Sequence, residues 1–475
     1  MPRLIGLDVG TTGLKGVAVA EDGRVEAKAE EAYPFATPRP GWTEQDPELW
    51  WDACRRVQER LGGGDAIGLS GQMHGLVLLD AGLEPIRPAI LWNDGRTAAQ
   101  CAEIEAALGR EELVALTGNR ALTGFTAPKL LWVREHEPEL YARVRHVFLP
   151  KDYVRFKLTG ELATDVSDAS GTLLFDVARR TWSERVLSAL GIPAEWMPPA
   201  LESPTAAGGT RDGIPVAAGG GDQAAGAIGV GVDRPGPASV ALGTSGVVFA
   251  ALDGYRPDPE ARVHTFCHAR PGAWHAMGVM LSAAGSLRWL RDATAPGADF
   301  SALVAEAERW PPGAGGVRFL PYLSGERTPH ADPDVRGAFV GLGLEHDRGA
   351  LVRAVLEGVA YGLRDSLELL AAAGGRPAVG RVSGGGARSA LWLRIIAAVL
   401  GIPLEHTEVE EGAAYGAALL GGVAGGVFPD VETAIARCVR PTGRIDPDPS
   451  WTELYEAGYA SFRAAYPALR RLEES

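Results

Sequence analysis

The stretch GGGDQAAGAIGVGVDRPGPASVALGTSG (219–246) decides how the rest of the chain is interpreted. Its three opening glycines allow the backbone to approach a ligand closely, and they follow a predicted strand at 214–218. Asp222 comes next, at the start of a predicted helix of small residues. Functional carboxylates often lie at such strand–helix junctions in open α/β sheets. The alternative is that Asp222 only caps the helix, a role that Asp fills well.

A Gly-Thr-Ser-Gly turn at 243–246 closes the same stretch, between two apolar segments. The N-terminus repeats this design, because a Gly-Thr-Thr-Gly turn at 10–13 also separates two apolar segments. Two strand–turn–strand copies about half a chain apart predict an internal duplication. Backbone N–H groups and hydroxyls in such turns are the donors that a phosphate chain needs.

The two copies differ two residues before their first glycine, where the first has Asp8 and the second has Ala241. In proteins, Mg²⁺ binds one or two carboxylates together with phosphate and water oxygens. The first copy therefore predicts a metal and phosphate site at Asp8, and Asp222 is predicted as a second acid beside it.

Composition limits the class of protein. The 475 residues are too many for one ordinary core and predict two or three domains. A net charge of −14 predicts that neither nucleic acid nor an anionic membrane is the main partner. Four scattered cysteines, the lack of a signal peptide and the lack of an apolar run of about 20 residues predict a cytoplasmic protein. No Gly-Lys pair occurs, which excludes a Walker A loop.

Several further segments carry polar groups at predicted strand ends. His74 lies in a glycine-flanked turn, where a structural and a binding role are equally open. LWNDGRT (91–97) offers groups suited to sugar hydroxyls, although a plain Asn-Asp-Gly turn is the alternative. SGGGARS (383–389) would let an adenosine lie flat on side-chain-free backbone. The segment 165–172 is interpreted as a polar lip, and 324–329 as a loop that could overhang a cleft.

Two other patterns have structural interpretations. The segment 234–237, Arg-Pro-Gly-Pro, is the best candidate hinge between two halves. A group of three histidines and one cysteine matches no standard zinc spacing, so packing is predicted for His264, Cys267, His268 and His275.

The ordered set of motifs resembles the FGGY carbohydrate kinases of the sugar kinase, actin and Hsp70 superfamily. The resembling segments run nearly the full length of the chain: LDVGTTGLK (7–15), GWTEQDPELWW (41–51), SGQMHGLVLLD (70–80), LWNDGRT (91–97), GFTAPKLLWVREH (124–136), LPKDYVRFKLTGE (149–161), GGGDQAAGA (219–227), LGTSGV (242–247), FLPYLSGERTPH (319–330) and SGGGARS (383–389). Single pieces are weakly specific, but the ordered set is strong. The pairing of SGQMHG with LWNDGRT resembles the members that phosphorylate xylulose.

The resemblance implies two RNase H-like α/β domains of the actin and hexokinase type, flanking a deep catalytic cleft. Residues 1–234 would hold the sugar site and the first phosphate turn, and 235–475 would hold the nucleotide. The last helix is expected to be able to pack back on the N-terminal domain. It implies ATP and Mg²⁺, and transfer of the γ-phosphoryl group to the 5-hydroxyl of D-xylulose. The implied partners are the sugar and ATP, without nucleic acid or membrane, and a homodimer is left open.

The resemblance also implies roles for individual residues. Asp222 would be the catalytic base. Asp8 would be a second catalytic residue, whose carboxylate binds the metal. Sugar contacts are expected from Gln72, Met73, His74, Trp92, Asn93, Asp94 and Asp222. ATP contacts are expected from Thr11, Thr12, Lys15, Gly243, Thr244, Gly385, Gly386 and Ala387.

Three positions depart from the family pattern and bear on sugar preference and nucleotide affinity. Gln223 stands where some members have Asn, and Ala350 and Ala390 stand where polar side chains are expected. Two rival functions stay open. One is a kinase for another sugar or polyol, such as ribulose, gluconate or glycerol. The other is an actin-like protein that binds nucleotide or sugar without catalysis.

Overall fold

The computed structural model describes residues 1–473, so the last two residues of the predicted C-terminal domain, 474 and 475, lie outside the described chain. The strands of the first half are β1 (Arg3–Val9), β2 (Gly13–Ala20), β3 (Val25–Ala32), β4 (Glu44–Gln45), β5 (Ala66–Gly71), β6 (Val77–Leu79), β7 (Ala89–Ile90), β8 (His146–Phe148), β9 (Thr164–Asp165), β10 (Phe175–Asp176), β11 (Thr181–Trp182), β12 (Ala200–Leu201), β13 (Ala206–Gly209), β14 (Pro215–Ala217) and β15 (Gly220–Gly221). Its helices are α1 (Pro47–Leu61), α2 (Ala98–Leu108), α3 (Arg110–Thr117), α4 (Thr126–His136), α5 (Pro138–Tyr141), α6 (Pro150–Thr159), α7 (Val166–Ala169), α8 (Glu184–Leu190) and α9 (Asp222–Gly229).

The second half continues the same alternation of strands and helices. Its strands are β16 (Pro237–Leu242), β17 (Gly246–Leu252), β18 (His264–Cys267), β19 (Trp274–Met280), β20 (Arg318–Leu320), β21 (Ala338–Val340), β22 (Val379–Ser383), β23 (Leu404–Thr407) and β24 (Pro441–Ile445). Its helices are α10 (Ala284–Thr294), α11 (Phe300–Glu308), α12 (Arg348–Ala372), α13 (Ala390–Leu400), α14 (Gly412–Ala424), α15 (Val431–Cys438) and α16 (Pro449–Glu473).

Each half is built around a large sheet, and the two sheets share one topology. The first sheet has the order β13-β14-β5-β1-β2-β3, and the second has β18-β19-β17-β16-β22-β23-β24. In both, the opening hairpin is antiparallel, and its first strand is parallel to the next long strand of the sheet, β5 or β22. The repeated order confirms the predicted fold class of two duplicated α/β domains.

Local sequence signals place several elements where they were predicted. Helix α1 begins after Asp46, whose side chain accepts a hydrogen bond from the amide of Glu48, with Pro47 at the first helical position. The helix buries Trp50, Cys54 and Val57 on one face, which explains its spacing of apolar residues.

The segment predicted as a polar lip, 165–172, is instead buried, and that prediction is wrong. Asp165 and Asp168 are fully enclosed, and the ammonium of Lys151 lies 2.8 Å and 3.2 Å from their carboxylate oxygens. Because opposite charges compensate one another in the interior, a polar sequence pattern here does not mean exposure.

Helix α14 joins the two halves, although it belongs to the second half in sequence. It packs on β1, β5 and α9 at a distance that only glycine permits. A Cβ added at Gly68 would lie 1.8 Å from the carbonyl oxygen of Ala417, and one at Gly416 would lie 1.8 Å from that of Ala225. The first sheet is therefore covered by a helix from the far end of the chain.

The last helix, α16, packs within the second half. Tyr455 donates a hydrogen bond to Glu357 at 2.9 Å, and Tyr459 donates one to Asp365 at 2.6 Å. No helix within residues 1–473 is long and apolar enough to span a membrane.

Candidate active site

The candidate site lies where three neighbouring parallel strands of the first sheet end. Asp8 on β1 is in register with Ser70 on β5, and Ser70 is in register with Gly220 on β15. Asp222 follows two residues later, at the first position of α9. The carboxyl ends of parallel strands are the usual ligand-binding edge of an α/β sheet. The backbone thus brings together the two acids that the sequence placed far apart.

Asp8 is a half-buried carboxylate with little compensation. The hydroxyl of Ser70 donates to it at 2.6 Å, and Lys15 lies opposite it on β2. Burial raises the pKa of Asp8, while Ser70 and the charge of Lys15 oppose that rise. A carboxylate in this position would gain from a bound cation.

Asp222 has the properties of a general base. Burial, followed by the negative charge of Asp8, raises the pKa of Asp222 to about 7. Its carboxylate accepts a hydrogen bond from the amide of Gln223 at 2.7 Å. The interpretation of Asp222 as a helix N-cap is wrong, because Gly221 occupies the cap position. A base with a pKa near the working pH combines availability with proton affinity.

Side chains of the first half bind the first phosphate turn, 10–13, through the hydroxyl of Thr11. The hydroxyl of Thr11 donates to the Gln72 side chain at 3.1 Å and accepts from the indole N–H of Trp92 at 2.9 Å. Within residues 1–473, the backbone amides of Thr11 and Thr12 donate to no protein acceptor. Thr12 and Lys15 are exposed, so their polar ends also stay accessible. These groups suit a bound phosphate chain.

His74 forms part of the wall beside the acids. Its ring Nδ1 lies 2.6 Å from the carbonyl oxygen of Gly171, so Nδ1 carries the proton and Nε2 is left as an acceptor. Burial lowers the pKa of His74 to about 3, which keeps the ring neutral. Met73 is buried next to it and would contact any side chain placed at Gly221. This wall offers one acceptor and an apolar surface.

Lys129, which the sequence did not single out, fixes the backbone of His74. Its buried ammonium donates to the carbonyl oxygens of His74 and Gly124 at 3.0 Å and 2.7 Å, and Thr126 also donates to His74 at 3.0 Å. His74 has a φ of 69°, a left-handed conformation that few side chains adopt. The only sequence signal for Lys129 was its place in GFTAPKLLWVREH.

Two of the residues expected to contact the sugar are used within the protein. The carboxylate of Asp94 is buried, binds Arg96 through both oxygens at 2.9 Å and 2.6 Å, and accepts from the amide of Thr43 at 2.6 Å. The Gln72 side chain is buried against the first phosphate turn. These contacts favour positioning roles for both. Trp92 and Asn93 are exposed.

The second phosphate turn, 243–246, lies beside the glycine loop that follows β22. Ala241 on β16 is in register with Ser383 on β22, and a Cβ at Gly384 would lie 2.7 Å from the carbonyl oxygen of Leu242. The amides of Thr244 and Ser245 donate to no acceptor in the described part of the chain. This turn therefore has the same free donors as the first.

A cavity of about 710 Å³ opens beside this glycine loop. Its lining combines backbone of the loop with apolar side chains and includes Gly385, Gly386, Ala390, Leu287 and Phe300. Ala387, the third expected nucleotide contact of this loop, is buried and lines a smaller neighbouring cavity. Charged side chains, among them Arg288 and Arg388, also line the larger cavity. Apolar surface beside glycine backbone, with cationic groups at hand, suits a nucleotide.

Two neighbouring carboxylates, two turns with free amides and a cavity beside a glycine loop form the kind of site expected in a two-domain phosphotransferase. Residues 3–229 match the family model for the N-terminal domain of the FGGY carbohydrate kinases, and residues 238–425 match that for the C-terminal domain. The chain belongs to the FGGY family of carbohydrate kinases.

Relatives extend over the whole chain. The xylulose kinase of Escherichia coli (strain K12) is 43% identical over 98% of this chain and 99% of its own length. A crystal structure of a xyloylose kinase from Brucella ovis has a TM-score of 0.94 at 43% identity, covering 99% of this chain and all of its own. The xylulose kinase from Rhodospirillum rubrum has a TM-score of 0.93 at 32% identity, with full coverage of both chains.

Proposed function

We propose that this chain catalyses the ATP-dependent phosphorylation of D-xylulose to D-xylulose 5-phosphate. The proposal depends on the environment of Asp222. This half-buried carboxylate has a pKa of about 7. It directly follows the glycine strand, which packs on Met73. The xylulose kinases among its relatives, 43% identical in Escherichia coli, support the choice of sugar.

In the proposed reaction, the 5-hydroxyl of the sugar donates a hydrogen bond to Asp222. As the hydroxyl oxygen bonds to the γ-phosphorus of ATP, its proton passes to the Asp222 carboxylate and the bond to ADP breaks. The free amides of the two turns, at Thr11 and Thr244, hold the phosphates and stabilise the charge on them. Phosphoryl transfer requires mainly such positioning, so a single base is sufficient.

Mg²⁺ fits the site, and we propose Asp8 as its protein ligand. Burial raises the pKa of both Asp8 and Asp222, and the charge of Asp8 adds to the rise at Asp222. A bound divalent cation would relieve both effects. No group of three or more His, Cys, Asp or Glu side chains in residues 1–473 is arranged to hold a metal, so phosphate and water would supply the other ligands. The cation would neutralise charge on the transferred phosphoryl group.

For the sugar, we propose that Nε2 of His74 accepts a hydrogen bond from a hydroxyl, and that Met73 and the exposed faces of Trp92 and Asn93 complete the pocket. Asp94 and Gln72 would act indirectly, by holding Arg96 and the first phosphate turn. The nucleotide would lie over Gly385 and Gly386 in the large cavity.

An ADP-release assay over ketoses, aldoses and polyols tests the proposal. We expect D-xylulose to have the highest kcat/KM. A higher value for ribulose, gluconate or glycerol would assign another substrate, and no sugar-dependent ADP release would favour a binding protein. The metal assignment is tested by titrating Mg²⁺ against the rate for Asp8→Asn, where an unchanged requirement contradicts it.

We also propose a cytoplasmic location and a division of the chain at residue 234. The four cysteines carry free thiols, which agrees with a reducing compartment. A homodimer is a further proposal, and light scattering of the purified chain tests it.

A further inference from the structure

In the part of the chain that the structure describes, the guanidinium of Arg327 forms no salt bridge with a carboxylate. It lies in the loop 324–329, which the proposed reaction does not use. The guanidinium is half-buried, and burial lowers the pKa of Arg327. Among residues 1–473 its one hydrogen-bond partner is a neutral ring, Nε2 of His264, at 3.5 Å from Nη1. A half-buried guanidinium with most of its N–H donors unused can bind a further acceptor.

Hydrogen bonds to the end of β19 hold the loop on both sides of Arg327. Glu326 accepts from the amide of Leu281 at 2.9 Å, and Thr328 exchanges hydrogen bonds with Val279 at 3.0 Å in both directions. Both neighbours of Arg327 are therefore anchored at the end of β19. Burial raises the pKa of Glu326 to about 8, and its carboxyl accepts hydrogen bonds from the backbone amides of Leu281 and Arg327, not from the guanidinium.

His264 orients the guanidinium but uses one of its five N–H donors. Nδ1 of His264 lies 2.6 Å from Oδ1 of Asn119, whose amide nitrogen donates to Thr117 at 2.9 Å. Oδ1 is therefore the acceptor, Nδ1 carries the proton, and Nε2 accepts from Arg327. Nε and Nη2 of Arg327 make no hydrogen bond in the described chain, and neither is enclosed.

Arg327 belongs to the same wall as His74. The His264 ring lies 5.8 Å from the Phe125 ring, and Phe125 lies 4.6 Å from the ring of His74. The charge of Arg327 also contributes to the lowered pKa of His74. Arg327 thus borders the proposed sugar pocket on the side of His74.

We propose that Arg327 binds the sugar at the end opposite to the 5-hydroxyl and selects substrates with a carbonyl oxygen at carbon 2. A guanidinium only donates hydrogen bonds and a carbonyl oxygen only accepts them, so the two groups match. A hydroxyl at carbon 2 must also find an acceptor for its proton, which Arg327 does not offer. This inference rests on the proposed function, because it takes Asp222 as the site of the 5-hydroxyl.

The test compares D-xylulose with D-arabinitol, in which a hydroxyl replaces the carbonyl at carbon 2. Arg327→Met keeps the apolar stem and removes the donors. We expect kcat/KM for D-xylulose to fall about 10- to 100-fold and that for D-arabinitol to fall less than about 3-fold, so the preference between them collapses. KM for ATP should stay at the wild-type value. Arg327→Lys, which keeps the charge but loses the planar fork, should be intermediate.

Arg262→Met is the matched control, because this neighbouring guanidinium is bound to Asp258 at 2.9 Å and should leave the sugar preference unchanged. Equal losses of kcat/KM on D-xylulose and D-arabinitol would overturn the inference. A lower melting temperature with the wild-type preference between the two substrates would also overturn it. If Arg327→Met does not fold, the same comparison is made with Arg327→Lys. Failure of wild-type enzyme to use D-xylulose refutes only the proposed function. The same variants are then compared on the best ketose of the panel and its reduced polyol, where unchanged discrimination overturns the role of Arg327.

Discussion

The proposed role of Asp222 as the base should make catalysis depend on the pH of the solution. Its pKa of about 7 means that the free base is lost as the pH falls through 7, so kcat/KM should decline on the acid side with a midpoint near pH 7. Asp222→Asn should lower kcat by about 10²- to 10⁴-fold while sugar binding, measured by calorimetry, stays close to wild type. A variant that keeps half of the wild-type kcat would remove Asp222 from the reaction.

The same residue costs the protein stability. Between the ordinary Asp value of 3.8 and about 7, the unfolded chain has released the proton that folded Asp222 still holds. Folding then takes up a proton, so the contribution of Asp222 to stability decreases as the pH rises through this window. Asp222→Asn should therefore melt higher than wild type at pH 8, with a difference that shrinks towards pH 4. An equal difference at both pH values contradicts the raised pKa.

A substitution at His74 must tolerate the left-handed backbone conformation of this residue. Because φ is 69°, His74→Ala adds strain, whereas Asn tolerates left-handed backbone better. We expect both variants to raise KM for D-xylulose about 10- to 100-fold, as for a lost buried hydrogen bond, and to leave KM for ATP unchanged. If His74→Asn melts early but keeps the wild-type KM for the sugar, the ring has only a structural role.

At the scale of elements, the short helix α7 holds the glycine strand that precedes Asp222, the proposed base. The hydroxyl of Ser167 accepts from the amide of Gly221 at 3.1 Å and donates to Asp165 at 2.5 Å. Ser170, on the next turn, accepts instead from the amide of Cys267 at 3.1 Å. Both serines are buried, so they can be compared as a matched pair. Ser167 binds the strand β15, and Ser170 binds the strand β18.

Ser167→Ala should lower kcat about 10-fold, because Gly221 directly precedes Asp222, while Ser170→Ala should leave kcat near wild type. Both variants should lose about 1–3 kcal/mol of unfolding free energy, measured by denaturant titration, since each strands one amide. The same loss of kcat in both would mean that α7 acts only through general stability. Ser167→Thr, which keeps the hydroxyl, should restore part of the rate.

Local chemistry could be predicted from the sequence, whereas contacts between distant segments could not. Each locally determined feature depends on only a few neighbouring residues. Such features are the glycine turns, the strand before Asp222 and the cap at Asp46. The burial of Asp168 depends on Lys151, and the internal use of Asp94 depends on folding against Thr43. Such pairings depend on tertiary structure. The sequence shows that these residues are charged, but it does not show which partners they meet.

At the scale of the molecule, small residues hold the halves together. Gly68→Ala would place a methyl group 1.8 Å from the carbonyl oxygen of Ala417, so the strand and α14 must separate. We expect a loss of at least about 3 kcal/mol in unfolding free energy, or an insoluble product. Gly63→Ala, where nothing lies within 4 Å of the added carbon, is the control and should be neutral. Equal melting temperatures for the two variants would contradict tight packing of α14.

The position of α14 also has a consequence for synthesis on the ribosome. Strands β1 and β5 leave the exit tunnel early, but the helix that covers them, Gly412–Ala424, is among the last segments to be made. At about 5–20 residues per second, this face of the sheet waits roughly 20–70 s for its cover. The nascent first half is therefore a natural client for chaperones, and ribosome pausing late in the message would lengthen its exposure.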